Sequence, residues 1–192
     1  MLKLYFDPQS RSQVAKWMLD EAGVDYEIVP TLIREKAHKK PDYLKINPSG
    51  KLPALVDGGT RVFENAAICM YVAEKFPEAA LAPPVGSPDR GRYLSLMVYS
   101  TAQLEPSMGD SLLGLQSNNS ARGWTDFEQA KDAVERELGD GPYLFGAQFT
   151  AADVMIGAMF IWHRAFGGHS NRPGIDAYID RLQARPKAMK FG

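Results

Sequence analysis

The segment Asn47-Pro48-Ser49-Gly50-Lys51-Leu52-Pro53-Ala54-Leu55-Val56, followed eight residues later by Glu64-Asn65-Ala66-Ala67-Ile68, constrains this chain more than any other stretch. It reads as a turn, a proline at the mouth of a buried strand, a second short strand and a helix that opens on an acid and an amide. A proline at the first residue of a strand cannot donate to the ladder. With the Leu52-Pro53 bond cis, the chain bends tightly and leaves the Leu52 N–H and C=O free for a ligand. The helix opening near Asn65 adds unpaired N–H groups at the positive end of its dipole. A peptide-like ligand pairs its backbone with the first feature and points a carboxylate at the second.

The elements around this motif alternate. Leu2–Phe6 reads as a strand, and Asp7-Pro8-Gln9 as a turn. A helix follows from about Arg11 to Ala22, stopped by Gly23, with Val14, Trp17 and Met18 on its buried stripe. Tyr26–Val29 is the next strand and Pro41–Leu44 a short helical turn. Pro53–Val56 and Arg61–Phe63 flank Asp57-Gly58-Gly59, a hairpin signal. Helix 65–76 carries Ile68, Tyr71, Val72 and Phe76 on one face.

Beyond Pro77 the pattern changes. Residues 77 to 89 hold four prolines, a Gly and a Ser in thirteen positions, which marks a linker. The boundaries expected are a first domain over 1–77, a linker over 78–88 and an all-helical domain over 89–192. One helix is expected over about 89–105, a second around Phe127 to Leu138 ended by Gly139, and a third after Pro173. Ser107 to Gly123, rich in Gly, Ser and Asn, reads as containing a mobile loop. Thr150 with Asp153 three residues on is a variant capping box, and Phe149 is placed to staple onto Val154. The run Val154–Trp162 is apolar on every side, as in a helix at the centre of a bundle.

Composition excludes several functions. A net charge of −1 leaves no electrostatic footprint for nucleic acid. Lys36, His38, Lys39 and Lys40 form the one dense basic cluster, readable as a solvated loop or a local anion site. The longest apolar run, Val154 to Trp162, is too short to span a bilayer. Leu2–Phe6 already alternates as a strand, so no leader is expected and a cytoplasmic setting is. Cys69 is the sole cysteine, which removes dithiol redox chemistry, and its apolar helical surroundings suit a buried structural thiol.

Several of these stretches together resemble the cytosolic glutathione S-transferase superfamily. They are Leu4-Tyr5-Phe6 running into Ser10-Arg11-Ser12, the segment from His38 to Pro53, Phe63 to Tyr71, Tyr143-Leu144-Phe145-Gly146 and Phe149 to Asp153. The resemblance implies an α/β N-terminal thioredoxin-like domain that binds glutathione, plus an all-α C-terminal domain that supplies the electrophile pocket. It implies addition of the glutathione thiolate to a small hydrophobic electrophile, a detoxifying role and a homodimer. Glutathione enters as co-substrate, and no metal, membrane or nucleic acid is called for. A glutathione-dependent isomerase, dehalogenase or peroxidase fits the same scaffold, as does a non-catalytic interaction module.

The resemblance also assigns residues. Ser10, at the end of the first strand, is the favoured donor to the thiolate, and its other reading is an ordinary helix cap. Ser12 is the second hydroxyl. Arg11 stands where the bacterial cysteine-type pattern has Cys, which argues against thiol exchange and offers a third way to stabilise a thiolate. Leu52, before Pro53, should pair with the cysteinyl backbone. Glu64 should meet the γ-glutamyl ammonium, and Asn65 with its N–H the γ-glutamyl carboxylate. His38 and Lys51 fall where the glycyl carboxylate would lie. Tyr99, Gln103 and Met108 are expected to line the electrophile pocket. The dimer should set helix 65–76 against helix 89–105 of the partner through Ala66, Met70, Ala73, Tyr93 and Met97.

Overall fold

A computed structural model describes residues 1–115 and 121–190, which divide into two compact units, Met1–Ala80 and Leu81–Gly192. In the first, Leu2 and Leu4 point inward from β1 (Leu2–Phe6) while Lys3 stays exposed, the alternation of a half-buried strand. β1 pairs in parallel with β2 (Tyr26–Pro30) and antiparallel with β3 (Ala54–Asp57), which pairs in turn with β4 (Thr60–Phe63). The strand order is β2-β1-β3-β4. Between β1 and β2 runs α1 (Ser12–Ala22), which buries Val14, Ala15, Trp17, Met18 and Leu19 against the sheet and α3 (Asn65–Lys75). The larger of these side chains each contribute about 1.5–3 kcal/mol. The short α2 (Pro41–Leu44) sends Tyr43 inward. The mixed sheet with its helices is the thioredoxin-like layer expected.

Two of the boundaries that differ from the sequence reading bear on the turns around β1 and β3. α1 begins at Ser12, with Arg11 as its N-cap at φ −59° and ψ −7°, so Ser10 lies one residue outside the cap. The strand after cis-Pro53 begins at Ala54.

The second unit is helical. α4 (Asp89–Tyr99) runs through a widened π stretch, Ser100–Leu104, into α5 (Glu105–Leu112). The helix expected to stop near residue 105 therefore continues to Leu112. Pro106 explains the widening, because it lacks an amide and its ring crowds the carbonyl one turn earlier, inside the π stretch. Of the expected 107–123 loop, Ser107–Leu112 is thus helix, and residues 116–120 lie outside the described residues.

α6 (Phe127–Leu138) buries Phe127, Ala130, Lys131, Val134 and Leu138, the stripe its spacing predicts. α7 (Ala151–Ala165) is buried almost throughout and packs on α4 and α8 (Pro173–Gln183). Its capping box is complete: Thr150 Oγ1 accepts from the Ala152 amide, and Asp153 accepts from the Thr150 amide at 2.8 Å. Asp153 also accepts from the Leu144 amide and the Tyr178 hydroxyl. Phe149 stands directly before this cap. Its ring meets Tyr143 edge-on and lies under the Arg185 guanidinium. At Gly157 a Cβ would sit 2.2 Å from Leu182 Cδ1, so the bare backbone lets α8 come close. Among the described residues no helix is long and apolar enough to cross a membrane.

Candidate functional site

The turn between β1 and α1 is organised by Asp7, which is 5 % exposed. Its carboxylate accepts from the Gln9 amide at 2.7 Å, a local Asx turn, and from the Ile33 amide at 2.7 Å, across the sheet end. Its carbonyl accepts from the Ser10 amide at 3.1 Å and lies 2.9 Å from both the Ser10 and Ser12 hydroxyls. The two hydroxyls are 2.7 Å apart. Ser10 Oγ accepts from the Ser12 amide at 3.1 Å, so it satisfies an orphan donor of α1 from outside the cap. Ser10 keeps 5 % of its surface and Ser12 none, so only Ser10 has a face left for a ligand.

The loop before β3 is braced from below. The Lys51 carbonyl accepts from the Tyr43 hydroxyl at 2.5 Å and from Asn47 Nδ2 at 2.9 Å. Burial pushes the Tyr43 phenol well above its ordinary range, which keeps it a donor. Asn47 Oδ1 accepts from the Ser49 amide, and Lys39 Nζ donates to the Gly50 carbonyl at 2.7 Å. Gly50 sits at φ +56° with Lys39 Nζ, Leu44 Cδ2 and the His38 carbonyl all within 3.1 Å of where a Cβ would be. The Leu52-Pro53 bond that follows is cis. Among the described residues neither the N–H nor the C=O of Leu52 has a hydrogen-bond partner. The register sets Ala54 opposite Tyr5, which brings cis-Pro53 beside the β1–α1 turn.

Glu64 stands at φ +72° and ψ +129°, a left-handed conformation that costs a residue with a Cβ about 1–3 kcal/mol. It is exposed and precedes the first turn of α3. Asn65 Nδ2 donates to the Arg11 carbonyl at 3.1 Å, tying α3 to the start of α1. The other amide orientation would set two carbonyl oxygens face to face, so the network fixes this one. Asn65 Oδ1 is then screened from solvent with no protein partner. The expectation used the amide donor of this side chain, but that donor is engaged by Arg11 and the atom left without a partner is the acceptor.

His38 lies under the same loop. Its Nδ1 is screened from solvent and unpaired. Burial lowers its pKa from the ordinary value, and Lys39 and Lys51 lower it further. The imidazole is therefore neutral at neutral pH. The basic cluster is more than a solvated loop, since Lys39 anchors Gly50 and Lys51 lies close enough to His38 to act on it.

The sequence reading takes Asp7 only as part of a turn, the Asp before Pro being a turn signal, and gives it no place in the site. Gln9, Leu32, Ile33 and Arg34 were missed as well. With Asp7 and Pro8 they line a cavity of about 350 Å³ at this end of the sheet. Nothing in the spacing of residues 31–34 marks them out. Cys69 is fully buried and its thiol is pushed far above the ordinary range, so it is inert.

In the helical unit Tyr99 lines a cavity of about 270 Å³ with Leu96 and Val134. Gln103 and Met108 do not join it. Gln103 bonds the Gly123 carbonyl and the Thr125 amide, and Met108 is 2 % exposed. The proposed dimer patch is also corrected. Ala66, Ala73, Tyr93 and Met97 are buried within the chain itself, and the exposed apolar residues of α4 are Leu94 and Val98.

Comparison with known proteins bears on both units. Residues 1–74 match the family described as "Glutathione S-transferase, N-terminal domain" and residues 118–181 match "Glutathione S-transferase, C-terminal domain". Glutathione S-transferase 3 of Zea mays is 29% identical over 98% of this chain and 92% of its own length. A glutathione transferase structure from Methylococcus capsulatus is 30% identical with a TM-score of 0.80, covering 97% of this chain and 95% of that one. A sphingomonad glutathione S-transferase complexed with glutathione is 29% identical with a TM-score of 0.76, covering 96% and 94%.

Proposed function

The chain belongs to the glutathione S-transferase family, and on that footing we propose that it binds glutathione on its first unit and transfers the thiolate to a small hydrophobic electrophile. The observation that carries this reading is the unpaired Leu52 backbone before cis-Pro53, braced by Tyr43, Asn47 and Lys39. That N–H and C=O take the cysteinyl residue as an added antiparallel rung. Such pairing fixes where the sulfur lies, because the side chains of a strand alternate.

The ends of the tripeptide are read by charge. The glycyl carboxylate meets Lys51 and a neutral His38, whose remaining N–H donates. The γ-glutamyl carboxylate takes the free amides of the first turn of α3, an anion site by geometry and dipole. The γ-glutamyl ammonium takes the Glu64 carboxylate and Asn65 Oδ1, the two acceptors at that corner.

A free thiol ionises near pH 8.5, about thirtyfold too weak an acid for use at neutral pH. Ser10 Oγ–H donates to the thiolate, and the Arg11 guanidinium adds positive charge at the cap of α1. The sulfur lone pair then forms the new C–S bond as the leaving group departs with its electrons, or adds to a polarised double bond that takes up a proton from water. Two further readings go with this one: a cytoplasmic setting, which suits a co-substrate held as free thiol, and a detoxifying homodimer.

Calorimetric titration with glutathione tests the binding, and a panel of aryl halide and enone electrophiles tests the transfer. Micromolar-to-millimolar binding with measurable conjugation is expected. A folded protein that takes up no heat with glutathione contradicts the reading.

A further inference from the structure

The two serines of the β1–α1 turn do not have equivalent roles. Ser10 Oγ has two lone pairs and one proton. One lone pair accepts from the Ser12 amide at 3.1 Å. Its remaining neighbours are Ser12 Oγ at 2.7 Å and the Asp7 carbonyl at 2.9 Å. Ser12 Oγ accepts from the Asp7 amide at 3.0 Å and has its own proton to place, on Ser10 Oγ or on the Asp7 carbonyl 2.9 Å away. When the Ser10 proton turns to a sulfur, its second lone pair is left facing Ser12. The Asp7 carbonyl loses nothing it needs, because the Ser10 amide still donates to it at 3.1 Å. The turn therefore accommodates a rotation of one hydroxyl without leaving any polar group bare.

We infer that Ser12 is a positioning residue for the thiolate: its fully buried hydroxyl donates to Ser10 Oγ and so sends the Ser10 proton outward to the sulfur. The inference rests on the glutathione reading above and deepens it. Ser12 touches no ligand, since none of its surface is exposed. It acts through the chain Ser12 Oγ–H to Ser10 Oγ–H to sulfur, in which each bond polarises the next. A buried chain of this kind is a stronger donor than a lone hydroxyl that solvent competes for.

The test follows the ionisation of bound glutathione by the ultraviolet absorbance of its thiolate across pH, at saturating ligand. Wild type, Ser10→Ala, Ser12→Ala and the double variant are compared, with thermal midpoints recorded beside them. Ser12→Ala should raise the pH of half-ionisation by about half a unit to one, the worth of a hydrogen bond of ordinary strength. In the Ser10→Ala background the same change should add nothing, because the chain is already cut. Ser12→Cys, close in shape with a weaker donor, should give a smaller shift in the same direction and serves if the alanine variant does not fold. A lower thermal midpoint with wild-type ionisation makes Ser12 a purely structural brace and overturns the inference. Additive shifts in the double variant overturn it too. A wild-type protein that shows no bound thiolate sinks the glutathione reading instead, a result separate from the other two.

Discussion

At the scale of single residues, the proposed site rests on polar atoms that the fold leaves unpaired, as at Asn65 Oδ1, or able to turn, as at Ser10 Oγ. Ser10 and Asn65 are the informative pair. Ser10→Ala should raise the pH of half-ionisation of bound glutathione by about one to two units, since a hydrogen bond to a charged sulfur is lost. Affinity should change much less, because the ends of the tripeptide dominate binding. Stopped assays of conjugation rate against pH, beside calorimetry, separate the two effects. An unshifted profile would move the role to Arg11. Asn65→Ala should weaken glutathione by about 1–3 kcal/mol. That loss should vanish for an analogue lacking the α-amino group, because Asn65 Oδ1 is an acceptor. An equal loss for both ligands would return Asn65 to the carboxylate. The sequence singles out both residues and reads Ser10 as the donor to the thiolate, but it does not say which end of the Asn65 amide is available. Spacing says that an amide opens a helix, and only the Arg11 carbonyl 54 positions away decides which end of that amide is left without a partner.

At the scale of elements, the legible parts were those governed by local rules. The hairpin, the buried stripe of α6 and the Thr150–Asp153 box each follow from residues within a turn or two of one another. Asp153 shows what such a motif becomes in a core. It joins the Leu144 amide, the Thr150 amide and the Tyr178 hydroxyl. Thr150→Ala should cost about 1 kcal/mol as an ordinary cap. Asp153→Ala should cost about 3 kcal/mol or more, because it strands several buried donors at once. Urea unfolding of the two variants measures the contrast, and equal costs would mean that Asp153 is only a cap. Gly50 ties an element to the site. Gly50→Ala should cost about 1–2 kcal/mol in backbone strain. It should also weaken glutathione by displacing Lys39 and the loop that presents Leu52. Retained affinity in that variant would detach the brace from binding. Local rules mark Asp7 as a turn residue but could not supply its bond to the Ile33 amide, a contact 26 positions long.

At the scale of the molecule, periodicity shows that a helix has apolar stripes without saying which stripe faces its own core. α4 carries two. Tyr93 and Met97 form one and Leu94 and Val98 the other, each pair four residues apart and so on one face. The first pair is fully buried in its own chain, and the second is 40 % and 55 % exposed. A residue already buried in its own subunit has little apolar area left to offer a partner. A two-fold dimer in which α3 of one subunit meets α4 of the other therefore has to use Leu94 and Val98, with the half-buried Met70 on α3. Light scattering at micromolar concentration should give twice the chain mass of 21.2 kDa. The double variant Leu94→Glu, Val98→Glu should give the single-chain mass, because two charges on each copy would be desolvated against a symmetric neighbour. Its circular dichroism should remain that of a folded chain, since both side chains are exposed within the subunit. A double variant that stays dimeric would place the interface on another face, and a wild-type mass of one chain would remove the dimer altogether.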